Sequence, residues 1–129
     1  MNSTLSIRVS GHELRSCINA LAYVVACPFE KTRKPTLPLT DRELNGLLDR
    51  LLALWTPIVT SASTLEDAFR AQPRVTLERP ELRALIETLV AVCEEMGNVP
   101  TDMDVIVGAD TAQVHAMCQS FALAEQGLK

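Results

Sequence analysis

The sequence predicts a mostly helical α+β fold. It is built from an internally duplicated strand–helix–loop–helix unit around one aliphatic core. Three observations predict it. Short runs of alternating apolar residues precede long stretches with apolar positions at helical spacing. Capping signatures stand where such stretches begin. The order of elements, and several residues with it, recurs after about seventy positions.

Leu5, Ile7 and Val9 alternate with polar neighbours, the pattern of a half-buried strand. Ser10-x-x-Glu13 then forms a capping box, and a helix follows with Leu14, Cys17, Ile18, Leu21 and Val25 on one face until Pro28. A loop over 29–38 carries Lys31, Arg33 and Lys34. Thr40-x-x-Glu43 opens a second helix with Leu44, Leu47, Leu48, Leu51, Leu52 and Trp55, which Pro57 is expected to kink or end. Ser63-x-x-Glu66 is expected to open a short helix through Arg70. Residues 74–77 read as a strand. A helix starting near Pro80 carries Leu82, Leu85, Ile86, Leu89, Val90 and Cys93 up to Gly97. Met103, Val105 and Val107 alternate as in a strand over 100–108, and a last helix capped near Asp110 carries Val114, Met117, Cys118 and Phe121.

A shift of 68 places Glu13-Leu14-Arg15 on Glu81-Leu82-Arg83 and pairs Ile18 with Ile86 and Leu21 with Leu89; a shift of 70 places Leu44, Leu47 and Leu51 on Val114, Met117 and Phe121. Residues 1–129 therefore read as one domain of two repeats, about 5–56 and 73–125, joined by 57–72. A unit of about fifty residues with one apolar face is marginal alone, so the two are expected to share a core.

Hydrophobic residues make up 47% of the chain and charged residues 22%, a globular balance. The five aromatic residues, Tyr23, Phe29, Trp55, Phe69 and Phe121, leave the core to Leu, Val, Ile and Ala. The longest uncharged stretch, 51–65, is too short to span a bilayer and contains Pro57. The segment before Arg8 has no apolar signal region, and the four cysteines have no metal-site spacing. A cytoplasmic protein with reduced thiols is expected.

Candidate chemistry is sparse. His12-Glu13 begins a zinc motif that fails at Ser16, and His115 falls at a polar helix position. His115 and Cys118 share a helical face, which would serve a small thiol enzyme, but Cys118 aligns with the core residue Leu48. Asp102-x-Asp104 lacks the third ligand and turn of a cation loop. No nucleophile elbow or phosphate loop occurs. A non-enzymatic protein without metal or cofactor is expected. Nucleic acid is an unsuitable partner, because the basic loop has no aromatic platform and the second half is acidic.

Charge is unevenly spread. Seven basic and five acidic residues precede Leu65, and five basic and eleven acidic residues follow from it, so the first part is +2 and the second −6. Glu94, Glu95, Asp102, Asp104 and Asp110 occur with no basic residue between them, in the place that Lys31, Arg33 and Lys34 hold in the first repeat. These five acidic residues are the expected docking surface for a basic protein partner. A competing expectation is self-association into a homodimer, since Leu47, Leu51, Leu54 and Trp55 give the second long helix more apolar surface than one face needs.

Residues 13–48 resemble a group of small uncharacterised bacterial proteins with an E-L-x-x-L-x-N-A-L helix, an F-E-x-T-R loop and an R-E-x-x-x-L-L helix. Glu13-Leu14, Ile18, Asn19-Ala20-Leu21, Phe29-Glu30-Lys31-Thr32-Arg33, Arg42-Glu43 and Leu47-Leu48 carry the resemblance in order. The second repeat departs from it, with Glu87 and Thr88 in place of the Asn-Ala pair. The group is similar to immunity proteins of toxin systems. What this resemblance implies is a protein that neutralises a toxin by binding, with no catalytic residue carried over.

Overall fold

The computed structural model describes residues 4–26, 37–96 and 111–126. Its elements are strand β1 (Thr4–Arg8), helices α1 (Gly11–Ala26), α2 (Asp41–Ser61) and α3 (Leu65–Arg70), strand β2 (Arg74–Glu78), and helices α4 (Arg79–Met96) and α5 (Thr111–Gln126). The fold is mostly helical α+β. The expected strand over 100–108, the cap at Asp110 and the basic residues Lys31, Arg33 and Lys34 lie outside the described residues.

The two strands form an antiparallel ribbon with Ile7 opposite Val75 and Arg8 opposite Arg74. Pairing continues past the strand ends, where the N–H of Val9 donates to the Pro73 carbonyl (3.1 Å) and that of Gly11 to the Ala71 carbonyl (2.8 Å). Period-two alternation gives the ribbon two unlike faces. Ile7, Val9, Val75 and Leu77 are buried against the helices, while Ser6, Arg8, Arg74 and Thr76 are exposed.

Below the ribbon α1 packs on α2 and on α4, and α4 packs on α5. One buried cluster contains Leu14, Ile18 and Leu21 of α1 together with Leu82, Ile86 and Leu89 of α4, closed by Leu44, Leu47 and Leu51 of α2 and by Val114, Met117 and Phe121 of α5. Full burial of each such Leu or Ile contributes about 1.5–3 kcal/mol.

Local signals start the helices. In the Ser10 box the N–H of Ser10 donates to Glu13 Oε1 (2.8 Å), and the N–H of Glu13 donates to Ser10 Oγ (3.0 Å). The Thr40 box has the same pair of bonds to Glu43 (2.9 and 3.2 Å). The N–H of Glu78 donates to Glu81 Oε1 (2.8 Å), which ties the end of β2 to the first turn of α4.

Two local expectations are corrected. The cap of α3 is Thr64, not Ser63: its hydroxyl accepts from the N–H of Asp67 (3.1 Å). Glu66 is thereby free to meet Arg70 one turn on (2.6 Å), so it does not reach back to Ser63. Nor does Pro57 end α2, which runs on to Ser61. The proline withholds its donor from Ala53, which is exposed, so water can meet that carbonyl. The neighbouring Thr56 and Thr60 hydroxyls donate to the carbonyls of Leu52 (2.9 Å) and Thr56 (2.8 Å).

Helix α3 packs on α1 and α2. Its approach is close enough that a Cβ on Gly11 would lie 1.9 Å from the Ala68 carbonyl oxygen. Only glycine admits this contact.

Candidate binding surface

Consecutive residues of a helix stand about 100° apart, so Glu94 and Glu95 of α4 cannot share a direction. Glu94 is exposed, whereas Glu95 is only 4% exposed. Of these two members of the expected docking set, Glu95 thus lies in the protein interior as packed. Asp102, Asp104 and Asp110 lie outside the described residues. No Lys or Arg occurs from residue 84 through 128, although Glu87, Glu94, Glu95, Asp102, Asp104, Asp110 and Glu125 do. Arg83 lies just before this run, with its Nε 3.7 Å from Glu125.

Among the described residues the thiols are poorly placed for nucleophilic work. Cys17 is buried, and desolvation drives its pKa far above the ordinary value, reinforced by Glu13 and Cys118. Burial, then Cys118 and Glu94, pushes Cys93 up to about 11, and burial raises Cys118 as well. Cys118 packs half-buried against the core while His115 beside it is exposed. A thiol held protonated at neutral pH is a weak nucleophile. Cys17, Cys93 and Cys118 are not in disulfides. Among the described residues no three His, Cys, Asp or Glu side chains are grouped to hold a metal ion, and no helix is long and apolar enough to cross a membrane.

An aromatic knot joins three helices. The Phe69 ring of α3 stacks on Trp55 (6.0 Å between centroids, 17° between planes) and meets His12 edge-on (5.3 Å, 65°). The Arg15 guanidinium stands 5.5 Å from the Phe69 ring centre. Trp55, one basis of the dimer expectation, is thus engaged within the chain, and Leu47 and Leu51 lie in the core. What α2 leaves exposed is Leu52 (39%) and Val59 (40%). Phe69 was not singled out by sequence reasoning, because a lone aromatic in a six-residue helix shows no period.

The ribbon carries the main polar convergence among the described residues. Arg50 of α2 pairs with Glu81 and donates from Nη2 to the Thr76 carbonyl (2.8 Å). It closes one side of a groove of about 310 Å³ between α2 and β2, whose other wall includes Arg74 and Thr76. On the exposed face Arg74 stands directly opposite Arg8. None of these arginines stands out in the sequence, since they are far apart in the chain and only strand register and helix packing bring them together.

Comparison with protein-family models, with curated proteins and with solved structures finds no match to this chain.

Proposed function

We propose that the chain is a non-enzymatic, cytoplasmic protein-binding protein of two repeats, whose acidic second half docks a basic protein in the manner of an immunity protein that neutralises a toxin. The observation that carries this reading is the run from residue 84 to 128, which holds seven carboxylates and no Lys or Arg. Such a run attracts a basic surface over long range and speeds its association at low salt. Glu94 is exposed on it, and the free cysteines suit a reducing compartment.

The two-repeat reading draws support from burial. A shift of 68 carries the buried residues Leu14, Ser16, Cys17, Ile18, Ala20, Leu21 and Val24 of α1 onto Leu82, Ala84, Leu85, Ile86, Thr88, Leu89 and Val92 of α4, each of them buried as well. A shift of 70 carries buried Leu44, Leu47 and Leu51 onto buried Val114, Met117 and Phe121. The first shift also carries Ile7 onto Val75, its own cross-strand partner, as a twofold axis through that pair requires. It likewise carries the Ser10–Glu13 back-bond onto the Glu78–Glu81 one.

Co-expression with toxins encoded beside its gene tests the reading. Protection is expected from one basic toxin, and it should weaken when Glu94→Lys and Asp102→Lys are combined. If no neighbouring toxin is neutralised or bound, the immunity reading falls. A second reading, self-association, is favoured by Leu52 and Val59, exposed seven residues apart on one face of α2. A sedimentation profile that remains monomeric at high concentration would remove it.

A further inference from the structure

We propose that the exposed face of the β1–β2 ribbon is a binding site for a phosphate-type oxyanion, held by Arg8 and Arg74 with the hydroxyls of Ser6 and Thr76. The register carries the argument. The bond from Val9 N–H to the Pro73 carbonyl identifies Val9 and Pro73 as a hydrogen-bonded position of the ladder. Such positions alternate, so Arg8–Arg74 and Ser6–Thr76 are both non-hydrogen-bonded pairs, where facing side chains stand closest. Both pairs are exposed on the same face, since their positions differ by two along each strand. Two guanidinium forks and two hydroxyls therefore border one patch, with the Glu78 carboxylate on the same face at the end away from the arginines.

Like charges directly opposite each other are destabilising in a sheet. Charged edge strands also deter unwanted pairing, and each edge of this two-stranded ribbon carries one of the arginines, but edge protection does not require the two to face each other. No carboxylate is paired with Arg8 or Arg74 among the described residues, whereas Arg50 is engaged by Glu81 and the Thr76 carbonyl. Arg50 is thus neutralised by Glu81 and leaves the facing pair free. A tetrahedral dianion offers enough acceptor oxygens for two forks and two hydroxyls, and its charge removes the repulsion. The groove of about 310 Å³ beside Arg74 and Thr76 leaves room for the group that carries it.

The test titrates the whole labelled protein with inorganic phosphate, using sodium chloride at equal ionic strength as the control. Saturable amide shifts at Ser6, Arg8, Arg74 and Thr76 are expected with phosphate only, and a rise in the thermal midpoint with them. Arg8→Gln or Arg74→Gln should weaken phosphate binding about tenfold or more, whereas Arg42→Gln on α2 should leave it unchanged. In chloride alone either ribbon variant should melt no lower than the parent, because a repulsion has been removed. That result also shows that the variants fold. A phosphoserine peptide is then compared with free phosphate. Much tighter binding of the peptide identifies a phosphorylated protein as the source, and equal binding identifies the free anion. Shifts that chloride reproduces, or that survive in the Arg8→Gln/Arg74→Gln double variant, overturn the proposal.

Discussion

The segments β1, α1 and α2 and the segments β2, α4 and α5 bury residues at positions that correspond under the shifts of 68 and 70, yet their surfaces differ. At the start of α1, Gly11, His12 and Arg15 receive helix α3, and Phe69 is seated against Trp55. The same shifts place Arg79, Pro80, Arg83 and Glu125 at these positions in the other half, where they line a shallow open groove of about 360 Å³. Arg50, which holds the outer edge of β2, corresponds to Ser120, too short to do the same for β1. The difference teaches that matched positions keep their burial even where the residue type differs, as at Cys17 and Leu85 or Leu51 and Phe121, while surface positions vary freely. In the proposed duplication, function would therefore lie in what the halves do not share.

The sharpest way to break the comparison is to truncate matched core residues. Leu21→Ala and Leu89→Ala should each lower stability by roughly 2–5 kcal/mol, because a cavity adds to the lost burial. Denaturant midpoints measure this. A silent Leu21→Ala would mean that the halves do not share the load.

Gly11→Ala comes next. Its Cβ would collide with the Ala68 carbonyl, a backbone atom that cannot swing aside. A loss of about 1–3 kcal/mol is expected. Arg79→Ala, at the corresponding position in the second half, should stay within about 0.5 kcal/mol. Equal effects would place the asymmetry elsewhere than α3.

A third change sharpens the comparison in the opposite direction. Ser16 and Thr88 bury hydroxyl oxygens that have no hydrogen-bond partner among the described residues, and the matching residues are Ala84 and Ala20. Ser16→Ala should raise stability by about 1 kcal/mol, since a stranded polar atom is removed. Thermal unfolding that shows a loss instead would reveal a partner for that hydroxyl.

The smallest effect concerns pH. Backbone and side-chain hydrogen bonds with Thr40 hold the Glu43 carboxyl below its ordinary pKa. A lowered folded value means that the contribution is present above the ordinary carboxyl range and is lost as pH falls through the folded pKa. Gln113 stands at the matching position of α5 and carries no charge. Glu43→Gln should therefore flatten part of the acid limb of the stability profile, and Gln113→Ala should not.

Much of the frame was legible in the sequence. Strands β1 and β2, helices α1, α2 and α4, and the boxes at Ser10 and Thr40 follow from periodicity and from bonds that span three or four residues. The cap at Thr64 differed from the expected Ser63 because both residues carry hydroxyls, and the Glu66–Arg70 pair helped decide between them. The acidic surface was legible only as composition. Burial of Glu95 depends on how α4 is rotated against its neighbours, which charge counting does not contain.

The sequence by itself determined where helices begin, which faces are apolar, and how charge divides along the chain. These are local properties of residue type and spacing. Only the tertiary structure decided that Arg8 faces Arg74, that Arg50 reaches the outer edge of β2, and that Phe69 closes over Trp55 and His12. Each of these contacts joins residues far apart in the chain. Their positions are set by ladder register and by helix packing, which no local pattern specifies.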